Sequence, residues 1–320
     1  MKHRARAALA AAALVTLRTC TCQDEPAEPL RPRARPSVPS AALDASAPDA
    51  APPLPVEPDP VAARRCPPDM VDVAGEFCID RYEAILIDHE GERPLSPFYH
   101  PTRARTRASY ENVRTEPANP KSDTLMSDRA RGRPGERPRV PAPPAFQLAE
   151  RFEPRAINRG GVRPNGYSSG ETAQLACENA GKRLCSEEEW VRACRGQDDR
   201  DFPYGDTYEP AVCNVMRENH PAALLHGDPS TGHRDPRLNL MEDASGPLLR
   251  PTGTLPRCAS RWGDDAIYDM VGNLDEWIDD PSGVFLGGFF SRQTESGCAS
   301  RIGAHPFDYF DYSLGVRCCA

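Results

Sequence analysis

Several things are missing from this chain, and each narrows the reading. The apolar run at residues 7–17 is too short to span a bilayer as a mature helix, which takes about 20 apolar residues. There is no repeated Cys-x-x-Cys spacing, so a structural zinc site is not expected. Basic residues are not in excess: 39 Lys and Arg face 47 Asp and Glu, and the net charge of −8 argues against a nucleic-acid-binding surface. The basic stretch at 129–139 lies among prolines, where no helix could present it as a stripe, and reads as a solvated loop. His220, His226 and His233 are widely spaced in polar sequence and also read as solvated rather than metal-binding.

What is present fits an exported protein with one folded domain. A chain of 320 residues with 39% hydrophobic content can bury one substantial core, while 35 prolines and 27% charged residues are too many for all of it to pack. Residues 1–22 combine Lys2, His3, Arg4 and Arg6 with the short apolar run and then Cys20 and Cys22, the pattern of an export signal. Two versions stay open. Cys20 is the acylated cysteine of a lipoprotein-type signal, or the signal is a plain one, since Leu17-Arg18-Thr19 lacks the small residue preferred before a lipidated cysteine. Residues 23–65 are rich in Pro, Ala, Asp and Glu, bury too little to offset chain entropy, and read as a disordered tether. Without Cys20 and Cys22 the 12 cysteines leave an even set, which in an exported chain argues for disulfides. The expected location is periplasmic, cell-surface or secreted, with membrane contact only through an N-terminal lipid anchor.

Order begins near Cys66. Residues 70–80 alternate apolar and polar positions around Gly75 and predict a two-stranded hairpin. After Ala84-Ile85-Leu86-Ile87 the chain turns Pro- and Arg-rich, and about 88–145 reads as a long loop insertion with little secondary structure. Two helices follow. Ser168-Ser169-Gly170-Glu171 is a capping box ahead of residues 172–180, with Gly181 as the stop; Ser186-Glu187-Glu188-Glu189 repeats it ahead of Trp190-Val191-Arg192-Ala193-Cys194. Trp190, Ala193 and Cys194 fall on one face, which predicts that the indole and the thiol are buried together.

Several of these pieces resemble formylglycine-generating enzymes, also called sulfatase-modifying factors. Phe77-Cys78-Ile79-Asp80-Arg81-Tyr82-Glu83 is similar to the opening of that domain. Gly181-Lys182-Arg183-Leu184 with the following Glu-Glu-Trp is similar to its Gly-Lys-Arg-Leu-Pro-Thr-Glu-Ala-Glu-Trp. Phe202-Pro203-Tyr204-Gly205 resembles Phe-Pro-Trp-Gly. Residues 269–277, Gly287-Gly288, Cys298 and Leu314-Gly315-Val316-Arg317-Cys318 follow the order of Gly-Asn-Val-Trp-Glu-Trp, Gly-Gly-Ser-Trp, Cys-Arg-Ser-Ala-Arg and Gly-Phe-Arg-Cys. The resemblance covers roughly residues 66–319 of a domain placed at 66–320, continuous from about 166 onward and interrupted by the divergent insertion before it. It implies an α+β fold, an irregular C-type-lectin-like domain of the formylglycine-generating-enzyme type, with two helices, small antiparallel sheets and many loops stapled by disulfides.

The resemblance also implies pairings and ligands. It pairs Cys177 with Cys318 and Cys194 with Cys298; proximity then suggests Cys66 with Cys78, Cys213 with Cys258 and Cys185 with Cys319, and the partners of Cys318 and Cys319 are interchangeable at this point. It implies structural calcium held by Asp269, the carbonyls of Gly272 and Leu274, and Glu276, because hard oxygen ligands in a tight loop suit Ca²⁺. A second site would use Asn214, the carbonyl of Val215 and Asp243. The family oxidises a substrate cysteine with copper held by two thiolates, yet no cysteine stands between Gly288 and Cys298, and Arg292 lies where the first would fall. Copper is therefore not expected. Phe289 replaces the serine after the glycine pair and Asp275 the first tryptophan of Trp-Glu-Trp, so Asp275, Phe289 and Arg292 mark an altered cleft. The cluster Phe307, Tyr309, Phe310 and Tyr312 reads as strand packing or a stacking surface for a ligand.

Three functions follow, in order of preference. The first is a non-catalytic module that binds a peptide, glycan or protein ligand in the cleft. The second is an oxidoreductase of the family with altered active-site chemistry. The third is residual conversion of cysteine to formylglycine on a sulfatase.

Overall fold

The computed structural model describes residues 65–115 and 138–320. The export signal, residues 23–64 of the tether and residues 116–137 of the insertion lie outside the described residues, as do Cys20 and Cys22.

The hairpin near the start forms as the alternation requires. β1 (Met70–Val73) pairs antiparallel with β2 (Phe77–Asp80), Met70 opposite Asp80 and Val73 opposite Phe77. Between them Ala74 and Gly75 take positive φ of 55° and 71°, the tight reversal that glycine makes cheap. β2 lies beside the chain's last strand, β14 (Cys318–Cys319), which in turn lies beside β5 (Arg183–Leu184). A second four-stranded sheet runs β12 (Arg301–Ile302), β11 (Phe285–Leu286), β10 (Asp275–Trp277), β13 (Leu314–Gly315), with β10 and β13 parallel. Three two-stranded ladders complete the α+β fold: β3 (Ala84–Asp88) with β4 (Pro154–Asn158), β6 (Glu242–Asp243) with β7 (Gly246–Pro247), and β8 (Ala259–Trp262) with β9 (Asp265–Tyr268). Every sheet is small, and loops connect most of them.

Helices are more numerous than the two expected. The described residues hold α1 (Arg103–Thr115), α2 (Ala145–Ala149), α3 (Gly170–Glu178), α4 (Glu187–Arg195) and α5 (Pro221–His226). The 13-residue α1 lies within 88–145, the stretch expected to be a long loop with little secondary structure. Its apolar stripe is thin: Thr106 and Val113 are buried and Tyr110 half-buried, at helical spacing, while arginines fill the remaining faces. α1 packs on α2, Thr106 donates to the His100 carbonyl and Tyr110 meets Tyr99 edge-on, so tertiary contact rather than the helix's own amphipathicity holds it.

α4 starts as the sequence indicates, while the box of α3 is shifted by one residue from Ser168 and Glu171. Ser169 caps α3, and its reciprocal partner is Thr172, whose Oγ1 accepts from Ser169 N at 3.0 Å, rather than Glu171. Ser186 caps α4 in a full box with Glu189. Trp190, Ala193 and Cys194 are buried together as the spacing predicts.

Five disulfides bind early elements to late ones: Cys66–Cys78, Cys177–Cys318, Cys185–Cys319, Cys194–Cys298 and Cys213–Cys258. Cys177 on α3 and Cys194 on α4 tie both helices to strands or turns more than 100 residues later. One core surrounds Trp190 and the Cys194–Cys298 bridge; another surrounds Trp277 and Cys177–Cys318. A third gathers Tyr167, Leu225, Leu238, Phe290 and Tyr312. Among the described residues no helix is long and apolar enough to cross a membrane.

Candidate functional site

The loop leading into β10 is fixed by backbone that few residues tolerate. Asp269, Gly272 and Asn273 all have positive φ, 60°, 85° and 61°, and Asp and Asn are the non-glycine residues that visit this region most readily. A Cβ on Gly272 would come within 2.3 Å of the Asn214 carbonyl, so the two loops can meet only at glycine. Asn273 is the joint between them. Its Nδ2 donates to Glu83 Oε2 (2.5 Å) and to the Arg250 carbonyl (3.2 Å), while its Oδ1 accepts from Asn214 Nδ2 (2.9 Å) and Arg250 N (3.0 Å). Glu83 Oε1 accepts from Leu274 N at 2.9 Å.

One turn further, Glu276 and Arg317 form a fully buried pair. Arg317 Nε and Nη2 donate to Glu276 Oε1 at 3.0 and 2.8 Å, Nε also reaches Oε2 at 2.8 Å, and Trp190 Nε1 donates to Oε2 at 2.6 Å. The remaining guanidinium donors go to the carbonyls of Asp80 and Tyr268, each at 2.8 Å. Glu83 and Asp269 add charge to the same region. Burial, followed by repulsion from Asp269 and Glu276, pushes the Glu83 carboxyl well above the carboxylate range. Burial likewise raises Asp269 to about 6, opposed by the Gly253 N–H that it accepts at 2.6 Å.

These contacts bear on the residues named for calcium. Both oxygens of Glu276 are taken by Arg317 and Trp190, so a cation bound there would have to displace a buried guanidinium. The second set has the same feature: Arg217 donates to Asn214 Oδ1 at 3.2 Å and forms a close ion pair with Asp243. Val215 lies beside Gly272, but its neighbour Asn214 spends its carbonyl on Asn273 N. As placed, neither set fits Ca²⁺: a guanidinium stands against the carboxylate in each.

The cleft residues Asp275, Phe289 and Arg292 are brought together. Arg292 Nη1 donates to Asp275 Oδ1 at 3.2 Å, and Nη2 lies 2.8 Å from Oδ2 without the alignment of a hydrogen bond. The guanidinium sits 5.2 Å from the centre of the Phe289 ring. Asp275 is fully buried and Phe289 is 8% exposed, so of the three it is Arg292 that meets solvent. Burial lifts Asp275 to about 7; Arg292 opposes this and Asp311 adds to it.

Two histidines read as solvated join this cluster, a placement that loop composition hid. His220 Nδ1 accepts from Ala222 N at 3.2 Å and caps α5; its other nitrogen therefore carries the proton and donates to Tyr312 Oη at 2.9 Å. Burial lowers the basicity of His220, and neighbouring His233 lowers it further. Phe289 packs edge-on against Tyr312 and His220 at 5.6 and 6.0 Å. Residues 307–312 form a looped segment rather than a strand, with Phe310 and Tyr312 buried in it.

Copper finds no ligand here. Between Gly288 and Cys298 there is no thiol, Arg292 is committed to Asp275, and Cys298 is bridged to Cys194. Every cysteine among the described residues is in a disulfide, so the soft thiolates that select Cu(I) are missing and the site does not fit the ion.

The elevated Asp275 pKa makes a testable difference. Because the folded state holds this proton up to about pH 7 and the unfolded chain releases it near pH 4, Asp275 contributes stability that is complete below about pH 4 and lost as pH rises through 7. Asparagine does not titrate. Relative to the parent, Asp275→Asn should gain on the order of 2 kcal/mol between pH 5 and pH 8. Urea denaturation of both proteins at the two pH values reads this directly; a gap independent of pH would contradict it.

Residues 169–319 match the family model described as "Sulfatase-modifying factor enzyme 1-like domain". Among solved structures, a Major Tropism Determinant I1 variant is 12% identical with a TM-score of 0.39, covering 80% of this chain and 53% of its own, so this chain spans about half of that protein's length. PvdO from Pseudomonas aeruginosa is 17% identical with a TM-score of 0.31 over 76% of this chain and 79% of its own. CarF is 14% identical with a TM-score of 0.34 over 76% and 85%.

Proposed function

We propose that this chain, whose residues 169–319 form a sulfatase-modifying factor enzyme 1-like domain, acts as a non-catalytic module that binds a peptide, glycan or protein ligand outside the cytoplasm. The observation that carries this reading is the Arg292–Asp275 pair standing where the family's chemistry needs a thiolate. A guanidinium held against the buried Asp275 carboxyl can orient and hydrogen-bond a ligand but supplies neither a metal ligand nor an electron path. Around the cleft, among the described residues, His220 is bound to Tyr312 and the α5 N-terminus, and Asp275 to Arg292, so neither stands as a nucleophile in place of the lost thiols.

Five disulfides suit an oxidising compartment and support export, periplasmic, cell-surface or secreted. In this reading residues 1–22 deliver the domain and residues 23–65 hold it off the membrane, whether or not Cys20 is acylated.

The reading is tested by incubating the oxidised protein with Cu(I) and a cysteine-containing sulfatase-type peptide. The peptide should be recovered with its thiol intact by mass spectrometry. Aldehyde formation that depends on the protein would establish the third function and remove the first.

A further inference from the structure

α1 and the loops at 226–235 and 306–310 enclose a groove of about 980 Å³ on the part of the surface that the insertion adds. That is within the volume range of small-molecule sites. Two arginines line it from different elements, Arg105 from α1 and Arg234 from the loop. Their guanidinium carbons lie 4.6 and 4.2 Å from the centroid of one ring, Phe310, which lines the same groove.

Among the described residues neither guanidinium is paired with a carboxylate. Arg234 gives Nε to the Phe310 carbonyl at 3.3 Å, and among the described residues its terminal nitrogens and the Arg105 guanidinium have no hydrogen-bond acceptor. The nearby acids are largely committed elsewhere. Asp235 is held by Arg237, with Nε on Oδ1 at 2.9 Å and Nη2 on Oδ2 at 2.5 Å, and Asp311 accepts from Ser313 and Tyr309. Asp308, exposed on the rim, is the acid that stays near the opening. His100 packs edge-on to Phe310 at 4.5 Å, and burial together with Arg105 and Arg234 keeps it neutral, its pKa near 3.

Two like charges drawn to one aromatic ring attract its face but repel each other, and the repulsion is relieved when an anion bridges them. The planar fork of arginine matches the oxygens of phosphate, sulfate and carboxylate, two at a time. Ser109, Ser230 and His233 line the same groove and offer further polar contacts to whatever the anion is attached to.

We propose that this groove is a binding site for a small ligand carrying a multiply charged oxyanion, seated between Arg105 and Arg234. It contains neither Arg292 nor Asp275, although His233 touches both the groove and the cluster around His220, and it stands or falls independently of the copper question.

The test is calorimetric titration of the full oxidised chain at low ionic strength with three probes: inorganic pyrophosphate, inorganic sulfate and citrate. At least one should bind saturably at one to one, and the probe that binds identifies phosphate, sulfate or clustered carboxylate as the preferred chemistry. Arg105→Gln and Arg234→Gln should each weaken that binding about tenfold, and Arg105→Lys, which keeps the charge but loses the fork, should weaken it several-fold. Arg257→Gln, at an exposed arginine outside the groove already paired with Glu209, should leave it unchanged. Near-ultraviolet circular dichroism confirms that the variants fold. The proposal is overturned if no probe saturates at millimolar concentration, if binding persists in the Arg105→Gln, Arg234→Gln double variant, or if Arg257→Gln weakens it equally.

Discussion

Removing both the Cys177–Cys318 and the Cys185–Cys319 bridge is expected to destabilise the protein by about 6 kcal/mol, whereas removing either alone costs about 2–3 kcal/mol. The difference comes from how the loops nest. Taken singly, each bridge closes a long loop, with separations of 141 and 134 residues. Their ends, however, are neighbours: Cys177 and Cys185 flank one short stretch, and Cys318 and Cys319 are adjacent. With one bridge intact, the other closes a ring of only about ten residues, and the chain-entropy relation gives correspondingly less. With both gone, the nearest remaining restraint is Cys194–Cys298, and a much larger ring opens. Alanine pairs at each bridge, and all four together, measured by guanidinium denaturation under oxidising conditions, should therefore show the combined loss exceeding the sum by about 1 kcal/mol. Strict additivity would mean that the bridges act by local packing rather than by limiting the unfolded chain.

Arg317→Ala should cost about 3–5 kcal/mol, because it leaves Glu276 charged in a core that excludes water. Arg317 has no solvent exposure and makes contacts that no other cation reproduces: a two-pronged pair with Glu276 and one bond each to the carbonyls of Asp80 and Tyr268. Lysine presents a point charge at the end of a flexible stem and cannot reach all three directions, so Arg317→Lys should recover only part of the loss. The neighbouring acids sharpen the effect. Glu83 already has its carboxyl pushed upward by burial and by Asp269 and Glu276, and Arg317 is the cation that opposes this. In a Glu276→Gln background the uncompensated charge is absent, and Arg317→Ala should cost distinctly less. Urea denaturation of the four proteins gives the coupling. A loss below about 1 kcal/mol for Arg317→Ala in the parent would show that water reaches the pair.

Much of the scaffold could be read from local chemistry. Ser169 and Ser186 announce α3 and α4 because a hydroxyl before a run of helix formers satisfies the open amides, whatever the rest of the chain does. The hairpin around Gly75 is legible for a similar reason: it depends on alternation and one permissive residue. The pairing of Cys318 and Cys319 required the resemblance and proximity, since spacing alone does not decide it.

The site was less legible because its key contacts join distant segments. Nothing near Glu276 in sequence indicates that Arg317 and Trp190 will close on it from opposite ends of the domain. α1 was missed because four arginines mask a stripe formed by Thr106, Tyr110 and Val113, although Pro101-Thr102 before it is a usable start signal. His220 looked like a loop histidine, but the Pro221 that follows it is a first-turn residue, and the histidine is a cap. Arg217 is close in sequence to Asn214 and Val215 while Arg317 lies 41 residues beyond Glu276, and only the fold shows a guanidinium turned toward Asp243 and Glu276.

The most direct test of the central claim, that the domain matching the sulfatase-modifying factor model lacks copper chemistry, is a Cu(I) titration of the folded, oxidised protein against a competing Cu(I) chelator. Cys20→Ser and Cys22→Ser should be introduced first, so that the remaining cysteines are those seen paired in the five disulfides. The account predicts that the chelator keeps the metal throughout. Tight one-to-one transfer of Cu(I) to the protein would contradict it.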